Sequence, residues 1–281
     1  MKIGNKNPPK AYKNLGFLAG KDARPVRILA EFLEPLSRFR YFNVKDTVVF
    51  FGSARIRSKK DTTAELRKVN ALIKKSKKPS KEILESQQRA KRAVEMSDYY
   101  EDAVELARIM TSWSKSLKDK GRFVVCSGGG PGIMEAANRG AALAKGRSLG
   151  LGISLPMEQY PNKFITPELN LEFHYFFMRK YWFMYLGKAL IAFPGGFGTM
   201  DELMELLTLL QTGKIRKKMT VILYGRKFWD AVVNLKALYD MGMISKGDFD
   251  LFSFADSPQE AFEILKKGLT KNYLPPDQDE L

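Results

Sequence analysis

Ala189-Leu190-Ile191-Ala192-Phe193-Pro194-Gly195-Gly196-Phe197-Gly198-Thr199-Met200-Asp201-Glu202 is the stretch from which the rest of the chain is read. Residues 189–193 form an apolar run of strand length, and Met200 to Thr212 has the composition of a helix. The three glycines therefore occupy a strand-to-helix turn. A turn of this kind bares backbone N–H groups at the positive end of a helix dipole, which suits an anion such as a phosphate. Gly195, Gly196 and Gly198 allow a ligand to approach the backbone, and Thr199 adds a hydroxyl. Glu202 is expected within the first helical turn, facing whatever the turn holds.

Outward from this turn the same alternation recurs. Thr47–Phe51 is an unbroken apolar run, as suits a strand buried on both faces, and it ends in Gly52-Ser53-Ala54-Arg55. Arg122–Cys126 leads into Ser127-Gly128-Gly129-Gly130-Pro131-Gly132 and a helix over Ile133–Ala144. Leu149–Leu155 and Thr220–Tyr224 read as further strands, and Glu172–Phe176 as a short extended piece. Helices are expected over Pro25–Arg40 (interrupted at Pro35), 98–119, 177–186, 228–239 and 259–269. A prolyl loop with Pro156, Pro161 and Pro167 follows the third strand. Strands alternating with helices predict an α/β fold, a doubly wound and mostly parallel Rossmann-like sheet with helices on both faces. No internal repeat is found.

In such a sheet ligands sit beyond the carboxyl ends of the strands. Gly52 and Ser53, the loop with Gly129 and Gly130, and the turn at 195–199 all lie at such ends and can converge on one crevice. The Gly128–Gly132 loop lacks the G-x-G-x-x-G spacing of a dinucleotide fingerprint, and no Gly-Lys-Ser/Thr of a P-loop occurs. Met178-Arg179-Lys180 lies among Phe173, Tyr175, Phe176, Phe177, Tyr181, Trp182, Phe183 and Tyr185. Arg179 can clamp a phosphate or carboxylate through two donors, whereas Lys180 offers a point charge. The aromatic stripe suits core or subunit contact.

Composition narrows the classes. The chain has 281 residues, 44% of them hydrophobic, enough for a full α/β core. One cysteine, Cys126, and one histidine, His174, argue against a disulfide or a multi-Cys or multi-His metal site, so no metal is expected. No apolar run approaches the roughly 20 residues of a membrane helix, and Met1–Lys6 lacks a signal-peptide core. A soluble cytoplasmic protein without a membrane partner is expected. Residues 1–27 hold seven Lys/Arg against one Asp, and residues 55–98 hold fourteen against six Asp/Glu. Most of the net charge of +16 thus sits in a flexible basic arm (1–24) and a lysine-rich helical insertion (about 57–97, broken near Pro79-Ser80). Aromatic residues are nearly absent from 55–98, whereas base stacking needs them. Solvated faces fit better than a nucleic-acid surface.

Taken together, FGSAR at 51–55, SGGGPGIMEAANRGA at 127–141, MRK at 178–180 and PGGFGTMDE at 194–202 resemble the Lonely Guy (LOG) family. Its members are phosphoribohydrolases long mislabelled lysine decarboxylases. The resemblance is strong from Thr47 to Thr212, loose to Leu269, and absent from 1–24 and 57–97. It implies a single Rossmann-like nucleotide-hydrolase domain over 25–281. The implied reaction is hydrolysis of the N-glycosidic bond of a purine or cytokinin nucleoside 5′-monophosphate, giving free base and ribose 5-phosphate. Arg179 and Glu202 carry over as the catalytic pair. Gly195, Gly196, Gly198 and Thr199 carry over as the phosphate turn, and Gly129, Gly130 and Met134 as nucleotide-site residues. The residue before Glu202 is often Glu in the family and is Asp201 here. The GGGPGIMEAANRGA version belongs to bacterial branches, for which AMP is an expected substrate.

The chemistry is consistent. Breaking a ribosyl C–N bond builds oxocarbenium character, which a carboxylate near C1′ stabilises while orienting water. Glu202 suits this role, with Arg179 positioning substrate and carboxylate. No second acid offers itself to protonate the base: His174 is the weak candidate and reads as structural. No cofactor is expected, and no lysine has a context for a pyridoxal phosphate Schiff base. Two other readings stand beside the enzyme. One is a non-catalytic nucleotide or molybdenum-cofactor carrier or sensor on the same fold, the other a single-strand DNA binder of the related DNA-processing type. The expected partners are the monophosphate substrate and further copies of the chain, as a homodimer or higher homo-oligomer.

Overall fold

The computed structural model describes residues 8–76, 78–155 and 160–274. Residues 1–7 of the basic arm and Pro156 of the prolyl loop lie outside them. Seven strands, β1 (Thr47–Phe51), β2 (Val124–Ser127), β3 (Ser148–Ile153), β4 (Asn170–Phe173), β5 (Gly187–Ala192), β6 (Thr220–Tyr224) and β7 (Ser253–Ala255), make one sheet in the order β4-β3-β2-β1-β5-β6-β7. Every pairing among them is parallel.

The helices are α1 (Leu15–Ala19), α2 (Arg24–Tyr41), α3 (Lys59–Lys75), α4 (Lys81–Ser116), α5 (Ile133–Leu143), α6 (Phe176–Leu186), α7 (Phe197–Gln211), α8 (Arg226–Val232), α9 (Leu235–Asp240) and α10 (Pro258–Tyr273). The strand alternation divides the core into two layers. Val49, Phe51, Leu190, Ala192, Val221 and Leu223 pack with Phe39 of α2, Trp182 and Phe183 of α6, and Leu203 and Leu206 of α7. Val48, Phe50, Ala189, Ile191, Ile222 and Tyr224 pack with α4, α5 and α10 on the other face. Burial on both faces is why β1 and β5 are apolar without a break, and the doubly wound α/β architecture is as the sequence predicts.

Three details differ from the sequence reading. Pro35 does not interrupt α2, which runs unbroken with Pro35 buried inside it. A proline cannot donate to the carbonyl four residues back, and that carbonyl, Glu31 O, instead accepts from Trp182 Nε1 at 3.0 Å. Tertiary packing thus supplies the missing donor. Second, the insertion and the helix after it are not separate: α4 is continuous from Lys81 to Ser116, with its buried positions beginning at Ala90. Pro79 and the capping Ser80 separate it from α3. Third, β7 is three residues long and escapes a periodicity reading. Within the segment read as a flexible arm, residues 11–13 and 15–19 are helical, and Arg27 Nη1 donates to the carbonyls of Leu18 and Gly20 at 2.6 and 2.7 Å. No helix among the described residues is long and apolar enough to cross a membrane.

Candidate functional site

β1 and β5 are neighbours in the sheet, yet the chain leaves β1 toward β2 and leaves β5 toward β6. At such a switch point the following loops part and leave a crevice at the carboxyl ends. Here it is a cleft of about 930 Å³. The loops are tied at its base: Phe193 N donates to Phe51 O at 2.8 Å, Ser53 N to Pro194 O at 3.0 Å, and Ile133 N to Ser53 O at 3.1 Å.

Gly52, Ser53, Gly129, Gly130, Met134, Arg179, Gly195, Gly196, Gly198, Thr199 and Glu202 all line this cleft. Gly132 must be glycine, with φ at +72° and an added Cβ only 2.3 Å from Ser53 O. The Gly129-Gly130 loop is braced by Asn162, whose Nδ2 donates to the carbonyls of Gly129 and Gly130 and to Asn138 Oδ1 at 2.9–3.1 Å. Sequence reading missed Asn162, whose signal is no more than an Asn after Pro161 in a loop.

The turn before α7 is informative through what its glycines do not do. A Cβ on Gly195 would strike Thr199 Oγ1 at 2.1 Å, so that glycine serves packing. Gly196 and Gly198 have no positive φ, and a Cβ on either would meet nothing within 4 Å. Neither backbone strain nor packing calls for glycine there, and its effect is to leave bare N–H groups facing the cleft. No side chain caps α7, so its first amides keep their donors for a ligand.

Glu202 does not lie in the first helical turn. The helix starts at Phe197, its first turn carries no acid, and Glu202 is one turn further in. The end of the dipole is therefore free of a competing carboxylate. Glu202 is 2% exposed. Its Oε1 lies 3.6 Å from Arg179 Nη2 and its Oε2 lies 3.8 Å from Lys180 Nζ, and Oε2 accepts no hydrogen bond among the described residues. Burial pushes the Glu202 carboxyl up to about 7, against the pull of the Lys180 and Arg179 charges and with Glu205 and Asp201 adding to the rise. Arg179 is held between the rings of Phe176 and Phe183, at 5.3 and 5.5 Å. Burial lowers its guanidinium below the usual range while Glu202 opposes the shift. An arginine stays charged even so.

Lys180, read from sequence as a substrate contact, is not among the residues lining the cleft. Its ammonium sits 2.7 Å from Asp201 and 2.6 Å from Glu205. Burial works against its charge, but those two hydrogen bonds and Glu202 outweigh it, and its pKa is raised. Lys180 thus gathers three carboxylates behind the cleft wall. His174 also lies outside the cleft lining, its backbone amide donating to Glu31 Oε1 at 2.8 Å. A second acid unforeseen from sequence does line the cleft: Glu172 on β4, whose Oε1 accepts from Ser154 Oγ at 2.7 Å. It belongs to an edge strand that sequence reading located only loosely.

No curated protein matches the sequence. Among solved structures the chain is similar to the molybdenum cofactor binding protein from the phototrophic bacterium Rippkaea orientalis (20% identity, 60% of this chain and 86% of that one, TM-score 0.42). It is also similar to the structural-genomics target TM1055 (18% identity, 79% and 99%, TM-score 0.45) and to the Moco carrier protein from Chlamydomonas reinhardtii (19% identity, 62% and 89%, TM-score 0.42). Likeness at this level says nothing of what this chain binds. Residues 134–265 match the family described as possible lysine decarboxylase, the label long attached to the Lonely Guy proteins that the motifs resemble.

Proposed function

We propose that the protein hydrolyses the N-glycosidic bond of a purine or cytokinin nucleoside 5′-monophosphate, releasing free base and ribose 5-phosphate. One observation carries the reading: the uncapped, glycine-cleared start of α7 and the buried Arg179–Glu202 pair line one cleft. Along the α7 axis Glu202 lies about 6 Å beyond Gly198. That is the scale of the separation between the phosphate and C1′ of ribose 5-phosphate. With the phosphate on the amides of α7, the anomeric carbon reaches the Glu202 carboxylate. As the C1′–N bond breaks, its electron pair leaves with the base and positive charge develops on the sugar. Glu202 stabilises that charge, orients the water whose oxygen bonds to C1′ and accepts the proton that the water gives up, while the departing base takes a proton from solvent and Glu202 returns its own there. Arg179 fixes the carboxylate and the substrate. The base extends toward the wall made by Gly129, Gly130, Met134 and Ile153, with Glu172 beyond as an acceptor for its N–H groups.

Incubation of the full chain with AMP and other nucleoside monophosphates, followed by chromatography, is expected to show free base and ribose 5-phosphate in equal amounts. Binding of nucleotide without release of base from any of them contradicts the reading and favours a carrier.

We further infer that the chain self-associates through α2 and α6. Val26, Leu29 and Leu33 on α2 and Phe177, Tyr181 and Tyr185 on α6 are partly or largely exposed at helical spacing. The two helices pack together through Phe32, whose ring lies 5.6 Å from that of Tyr181. An apolar face of this extent is the mark of an interface. Sedimentation at micromolar concentration is expected to give a dimer or larger assembly, and Leu33→Glu with Tyr181→Glu to shift it to monomer. A monomeric wild type contradicts the inference.

A further inference from the structure

Beside the phosphate turn lies a second, smaller cavity of about 270 Å³. The loops after β1 and β5, α4 and the start of α8 border it, and it is open to solvent. Ser53, Arg55, Gly195 and Phe228 line both cavities, so the two meet at the rim of the turn. Two cationic residues line the smaller one, Arg55 from the loop after β1 and Arg92 from α4, and no carboxylate does. The guanidinium groups of Arg55 and Arg92 have no hydrogen-bond or ion-pair partner among the described residues. Arg57, in the same loop as Arg55, is instead paired with Glu65. The other walls, Ile56, Ala93, Met96 and Pro194, are apolar, and low-dielectric walls focus the field of the two charges.

We propose that Arg55 and Arg92 form a second anion subsite, and that the cleft accepts a nucleotide whose 5′-phosphate carries a further phosphate, a nucleoside 5′-diphosphate. The proposal rests on the reading that the start of α7 holds the 5′-phosphate. Gly195, shared by both cavities, marks where the phosphate chain passes from one to the other. Planar guanidinium forks match phosphate oxygens two at a time. The proposal also gives the basic insertion a task, since Arg92 comes from it.

The test is equilibrium binding of AMP and ADP, by calorimetry, to the full chain carrying Glu202→Gln to stop turnover. ADP is expected to bind about tenfold or more tightly than AMP, the scale of one charge-assisted contact. Adding Arg92→Ala or Arg55→Ala should bring that ratio close to one, and Arg92→Lys should keep part of it. Arg89→Ala removes the same charge from the same helix but lines neither cavity, and it should leave the ratio intact. Arg92 is exposed and unpaired, so unchanged melting of its variants checks that they fold. Equal affinities for AMP and ADP overturn the second subsite and leave the monophosphate site standing. An equal loss from Arg89→Ala and Arg92→Ala also overturns it, since the effect is then diffuse charge. Failure of AMP itself to bind overturns both readings.

Discussion

If the protein is the proposed hydrolase, Glu202→Gln is expected to lower the rate of base release about a thousandfold, within the range for removing a group that acts on developing charge or on a proton in the transition state. The substitution keeps the shape of the side chain and one acceptor but removes the charge that the oxocarbenium-like sugar needs. Nucleotide binding should survive, because in the proposed pose the phosphate is held one turn away by backbone amides, so the loss is expected to fall on kcat rather than KM. In the proposed mechanism only ionised Glu202 serves, and burial pushes its carboxyl up to about 7. In the wild type, kcat/KM should therefore climb with pH through about 7 and level off above it. Lys180→Met takes away the nearby charge that favours the ionised form, and the climb should move to higher pH.

The same ionisation sets a stability signature that separates lost chemistry from lost folding. The folded value of about 7 lies above the ordinary 4.5, so the folded chain binds this proton more tightly than the unfolded chain does. The resulting stability is full below about pH 4.5, declines as the pH rises to about 7, and is gone above that. Gln has no such proton. As the pH is raised from about 5 to about 8, the melting temperature of the variant should gain on that of the wild type, while its activity stays low throughout. A variant with wild-type turnover contradicts the role given to Glu202.

The second large effect comes from Gly196→Asp. Glycine at this helix cap is a weak choice for stability, because aspartate there accepts hydrogen bonds from amides two and three residues on. The backbone is already extended, at φ −96° and ψ −151°, and an added Cβ meets nothing within 4 Å. The variant should therefore fold well and gain a few tenths of a kcal/mol in stability, or about 1 °C in melting temperature. The new carboxylate would occupy the amides of Gly198 and Thr199 and place a negative charge where the phosphate belongs. Affinity for the monophosphate should fall at least a hundredfold, with KM rising to match. A more stable protein with lost binding is a combination that general damage does not produce. If the affinity of Gly196→Asp is unchanged, the anion does not sit at the start of α7.

The strands and the glycine turn before α7 were legible because the signals are local. An unbroken apolar run marks a strand covered on both faces, and glycines between a strand and a helix mark a turn with bare amides. Arg179 and Glu202 were legible only through motif resemblance, since nothing local says that residues from α6 and α7 meet at 3.6 Å. Lys180 was misplaced for the same reason. Its neighbours Asp201 and Glu205 lie on another helix, and a basic residue beside Arg179 reads as one more phosphate contact. Pro35 misled because a propensity rule cannot know that Trp182 will take over an orphaned carbonyl. The long α4 was split in two because its amphipathic pattern begins only where the helix reaches the core. Glu172, Asn162 and Arg92 reach the site region from an edge strand, a loop and an insertion, and only the tertiary fold brings them there.

Where one anion and one carbon sit decides the matter. A crystal structure of the protein soaked with ribose 5-phosphate is expected to show the phosphate within hydrogen-bond distance of the Gly198 and Thr199 amides, and the anomeric carbon turned toward the Glu202 carboxylate. A phosphate bound elsewhere in the cleft, or a sugar whose anomeric carbon faces away from Glu202, contradicts the proposed function.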